Sequence, residues 1–194
     1  LYSREDERYQ LLQKITYGNA TFNDVLTALS DTDDVGYLTS VLHALYTMRW
    51  HRGVIKILDD LWLQQTKNYP GLAWEFLNKT PTRIAIASTL TRIRVFDNQE
   101  YKKYIREHKY DDHEFHRAQV VIALGLNADP VDTSYIKEMA DAENIYVAQS
   151  AITSLAIMGS PQARDVLYEL AKKFSGTDRG RLIREVILQA YPKE

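Results

Sequence analysis

The chain has 194 residues, 45% of them hydrophobic and 26% charged, with a formal net charge of −2. That length and apolar content suit one domain, or one solenoid, with a continuous core; the near-neutral charge excludes a general attraction to nucleic acid or anionic membrane. Cysteine is absent, which rules out disulfides, thiolate zinc sites and cysteine nucleophiles.

The chain opens with LYSREDERYQ, neither an initiator Met nor a signal peptide, so an upstream segment is expected. The compartment stays open, cytoplasmic or exported. Asn19-Ala20-Thr21 and Asn78-Lys79-Thr80 match the glycosylation acceptor pattern, which arises easily by chance. No stretch approaches the ~18 consecutive apolar residues of a membrane span. Apolar residues recur at three- and four-residue spacing almost throughout, the helical period, and no strand pattern appears. The breaks are short: Tyr17-Gly18-Asn19, Ser30-Asp31-Thr32-Asp33, Tyr69-Pro70-Gly71, Asp97-Asn98, Asn127-Ala128-Asp129-Pro130, Gly159-Ser160-Pro161 and Ser175-Gly176-Thr177-Asp178. Most combine helix stops with helix starts. Cutting there predicts about twelve helices of about 8–16 residues. Residues 38–50 and 54–66 read as a longer helix pair, with Trp62 and Trp74 expected in the core.

Residues 81–192 repeat with a period of 31, and residues 1–80 form a divergent N-terminal part of the same single domain. Ile84, Phe115 and Tyr146 share one column. Leu90, Val121, Ile152 and Ile183 share another, and Ile93, Leu124, Leu155 and Val186 a third. Ile105, Ile136 and Leu167 align, as do Pro130, Pro161 and Pro192. Such a period marks a stack of two-helix units, none of which can bury its apolar face alone. Leu155→Asp is therefore expected to unfold the C-terminal repeats by burying an unpaired charge.

The clearest unit, VAQSAITSLAIMGSPQA at 147–163, resembles the HEAT-like repeat family in its short bacterial form. Val147, Ala151, Ser154, Leu155, Gly159, Pro161 and Ala163 carry the resemblance. It implies an all-α fold, a right-handed α-α superhelix of about six helix pairs of HEAT/ARM-like type. The TPR pattern of Trp, Gly, Tyr and Pro does not fit these columns.

Residues 111–116, DDHEFH, raise the question of a metal site. His113 falls in a polar column at a helix start with Thr82 and Asn144, and Asp111 and Asp112 precede the helix, where negative charge complements its dipole. The His113-Glu114 pair is similar to the iron-binding pairs of deoxyhypusine hydroxylases, but the aligned positions are Thr82-Arg83 and Asn144-Ile145. One pair cannot make that site, so the cluster reads as a helix start. No metal, cofactor or catalytic constellation is expected; Gly159-Ser160-Pro161 reads as a turn and cap.

Residues 51–112 hold 11 basic and 8 acidic groups, against 4 and 7 in residues 1–50. In HEAT-like solenoids the second helix of each pair lines the concave face. The resemblance thus brings the column Arg106, Lys137, Tyr168 and the column Lys102, Thr133, Arg164 to the inner surface. A basic, tyrosine-bearing groove suits an acidic or phosphorylated protein or peptide. Trp50 and Arg52, where two helices meet, form a second candidate contact. The expected function is a non-enzymatic interaction scaffold. The alternatives are a nucleic-acid binder of the HEAT-like DNA glycosylase type, which the charge distribution disfavours, and an enzyme subunit or chaperone of the phycobilisome-linked kind. On the scaffold reading, Arg106→Glu with Lys137→Glu should abolish binding and leave the fold intact.

Overall fold

The computed structural model describes residues 3–30 and 33–192, so the break expected at 30–33 lies partly outside the described residues. Among them every regular element is helical. The α-helices are α1 (Arg4–Thr16), α2 (Phe22–Leu29), α3 (Val35–Ala44), α4 (Arg52–Trp62), α5 (Trp74–Leu77), α6 (Thr80–Ile93), α7 (Gln99–Glu107), α8 (Glu114–Asn127), α9 (Thr133–Ala140), α10 (Ile145–Met158), α11 (Pro161–Lys173) and α12 (Asp178–Ala190). None is long and apolar enough to cross a membrane. The chain forms two compact units, Leu1–Tyr104 and Ile105–Glu194, the division falling within α7.

In the first unit the helix starts follow from local chemistry. Ser3 with Asp6, and Thr21 with Asp24, form reciprocal capping boxes at α1 and α2. Ile15, Leu29, Leu38, Leu42, Ile57, Leu61, Ile84 and Leu90 are fully buried. The long pair expected at 38–50 and 54–66 is shorter than its hydrophobic pattern suggests. α3 stops at Ala44 and tightens into a 3₁₀ turn over Leu45–Met48. α4 begins at Arg52 because the His51 imidazole accepts the Val54 N–H. It ends at Trp62, and Gln64 then takes a left-handed φ of 56°.

α6 is the most enclosed helix of this unit. Its buried hydroxyls are satisfied by main-chain carbonyls: Thr89 donates to Leu42 at 2.8 Å and Thr82 to Phe76 at 2.6 Å. Trp62 and Trp74, expected in the core, are only half-buried. Each ring has polar business at the margin. Trp62 lies edge-on to Tyr101 and Tyr104 beneath the Arg83 guanidinium, and the Trp74 indole donates to the Tyr69 carbonyl at 2.7 Å.

The second unit packs α10 against α8, α9, α11 and α12. Val121, Ile152 and Ile183 are fully buried, and so are Ile105, Ile136 and Leu167. Leu155 is fully enclosed too, as its expected sensitivity to Asp requires. The column led by Ile84 is less uniform. Ile84 is buried in the first unit, whereas the rings of Phe115 and Tyr146 stack on each other at the margin of the second, 6.2 Å apart. α8 and α10 approach closely at Gly125, where a Cβ would lie 2.9 Å from the Ser154 Cα. Ser154 donates to the Val121 carbonyl across the same contact.

The aligned turns share a device. α8 ends on Ala128 and α10 on Gly159, both left-handed, with φ of 52° and 63°. Ser160 then caps α11 through the Ala163 N–H, with Pro161 in the first turn.

Candidate functional site

The histidine cluster is a polar hub around one carboxylate. His113 caps α8, its Nδ1 accepting the Phe115 N–H. Asp111 accepts the His113 N–H at 2.9 Å, and the Nδ1 atoms of His116 and His108 lie 3.1 and 3.4 Å from its other oxygen. The His113 N–H and these imidazoles hold the Asp111 carboxyl down at about 2, against the opposing effect of burial. Arg117 closes the loop by donating to the Asp111 carbonyl at 2.7 Å. Among the described residues no group of three or more His, Asp or Glu side chains is disposed to hold a metal ion.

The basic columns meet internal partners. Arg106 makes a two-pronged contact with Asp132, Nε to Oδ1 at 3.1 Å and Nη2 to Oδ2 at 2.8 Å, and also reaches Asp129 at 3.0 Å. Asp132 is 1% exposed, so this pair belongs to the fold. The Asp132 bond keeps the Arg106 guanidinium above its ordinary pKa. Lys109 approaches the same carboxylate at 3.4 Å. Lys137 on α9 binds both oxygens of Glu169 on α11 at 2.8 Å, and Lys173 pairs with Asp141 beside it. Thr133, in the Lys102 column, is buried. These contacts link neighbouring helices of the second unit, Arg106 through a buried carboxylate and Lys137 through an exposed pair. Lys102 is half-buried on α7.

One of the expected residues lines an open groove. Tyr168, 46% exposed, lines a groove of about 420 Å³ between α11 and α12. Its other walls are Ala171, Ile187, Leu188 and Tyr191, with Lys172 and Arg184 at the rim. Arg164 lies close enough to influence the Tyr191 phenol. Burial raises that phenol's pKa, and the Arg164 charge offsets part of the rise. The Tyr191 hydroxyl is sealed from solvent and has no hydrogen-bond partner. Among the described residues neither Lys172 nor Arg184 has a carboxylate partner. The groove therefore combines an apolar floor, including Leu188 at 65% exposure, with cations at its edge.

Tyr191, Leu188, Lys172 and Arg184 were not singled out by the sequence. Leu188 follows the buried Ile187 as if it were a second core position, and only tertiary packing leaves it bare. Trp50 and Arg52 remain exposed in the first unit, the indole 82% so.

No protein-family model matches the chain, and no curated protein or solved structure is significantly similar to it.

Proposed function

We propose that this protein is a non-enzymatic helical-repeat scaffold of HEAT-like type. On this reading its helix pairs stack as a right-handed superhelix, and it binds a protein or peptide. The 31-residue period supports the architecture. The groove between α11 and α12 carries the binding assignment. An open apolar trough walled by Tyr168, Ile187 and Leu188 suits an inserted aliphatic side chain. Lys172 and Arg184 favour acidic residues flanking that side chain. The acidic-partner expectation thus keeps its chemistry but moves from Arg106 and Lys137 to the last helix pair.

Selection of a random displayed peptide library against the full chain tests this. Enriched peptides should place Asp or Glu beside Leu, Ile or Phe, and should be lost on Leu188→Asp or on Tyr168→Ala with Arg184→Glu. Enrichment indifferent to these substitutions, or steeply salt-dependent retention of nucleic acid in place of peptide, would contradict the reading.

A further inference from the structure

Several arginines in this fold find a carboxylate: Arg4 pairs with Asp33, Arg94 with Asp59 and Arg106 with Asp132. Arg49 and Arg92 do not. Among the described residues neither has an ion pair, yet both sit over one ring, their guanidinium carbons 4.5 and 3.7 Å from the Tyr46 centroid. Arg49 also lies 5.3 Å from the Trp50 ring. Tyr46 comes from the 3₁₀ turn after α3 and Arg92 from the last turn of α6, which pack together.

Stacking occupies the faces of a guanidinium and leaves its in-plane N–H donors directed outward. Of those donors, one Arg49 N–H meets the Tyr46 carbonyl at 3.1 Å. Burial together with the charge of Arg49 lowers the pKa of Arg92, opposed in part by Tyr46. Two like charges on one ring, with no acid to offset them, are a local excess that a dianion would relieve. Planar donor forks suit phosphate oxygens. The adjoining Trp50 offers an open ring face to whatever carries the phosphate. His43, three residues before Tyr46, feels the Arg92 charge, and neither of its ring nitrogens has a hydrogen-bond partner.

We propose that Arg49 and Arg92, held on Tyr46 and flanked by Trp50, form a binding site for a phosphate dianion. The group is either free inorganic phosphate or phosphate borne on an aromatic ring. The site lies in the first unit and does not depend on the α11/α12 groove.

Calorimetric titration of the full chain at fixed ionic strength, with inorganic phosphate and separately with phosphotyrosine, tests it. Saturable one-site binding is expected, weakened about tenfold or more by Arg92→Gln and by Arg49→Lys, which keeps charge but loses the fork. Saturating phosphate should also raise the His43 pKa, followed by NMR, because it offsets Arg92. Tighter binding of phosphotyrosine that Trp50→Ala abolishes assigns a ring-borne group; equal affinities assign free phosphate. Absence of saturable binding by either anion overturns the proposal. So does binding that is unchanged in Arg49→Lys with the wild-type melting temperature, whatever the folding of Arg92→Gln.

Discussion

At the residue scale the decisive observation is Arg106. Its place in a polar column made it a candidate for partner binding, since sequence shows a cation's type and face but not whether a carboxylate waits opposite. Asp132 does wait there, buried, 26 residues along the chain. Arg106→Leu is therefore expected to destabilise the protein by about 3 kcal/mol in denaturant unfolding, Lys109 limiting the loss. Lys137→Glu breaks an exposed pair and should cost under about 1 kcal/mol. The double charge reversal expected from sequence to spare the fold should instead weaken it. An unchanged denaturation midpoint in Arg106→Leu would show that Asp132 is satisfied without it. His43 makes a separate claim. Its residue is half-buried, but both ring nitrogens are enclosed and unpartnered, and burial, then Arg92, lowers its pKa to about 4. The unfolded chain takes up this proton at about 6.5, so the contribution of neutral His43 is complete above that pH. It is lost as pH falls from about 6.5 toward 4. Melting curves across that range should show the fall in wild type and a smaller one in His43→Phe.

At the element scale the helices and their caps were largely legible. Ser160 and Pro161 start α11 behind the left-handed Gly159, as the motif at 147–163 implies. His113 proved to be a cap for the same reason as Asn144, a side-chain acceptor at a helix start. Helix ends were less legible where they depend on tertiary contacts: the apolar pattern of 38–50 continues past Ala44, although the chain tightens there. The repeat also exposes an imperfect turn. Ala128 holds the left-handed conformation that Gly159 holds one period later, and a Cβ there is costly. Ala128→Gly should stabilise the chain by about 1 kcal/mol, read as a raised denaturation midpoint. A lowered midpoint would mean that the entropy of the unfolded glycine outweighs the relieved strain.

At the scale of the whole molecule, the all-helical class followed from a single period repeated through the sequence, and the buried columns at Leu90, Val121, Ile152 and Ile183 express it in packing. What periodicity does not encode is where packing stops. The groove beside Tyr168 exists because Leu188 is left uncovered, a property of three-dimensional neighbours and not of spacing. On the proposed function a protein or peptide seats in this groove. Hydrogen exchange, followed by mass spectrometry with and without a selected acidic-apolar peptide, tests it most directly. New protection is expected, concentrated in residues 161–191. Protection confined to other segments, or none at saturating peptide, would contradict it.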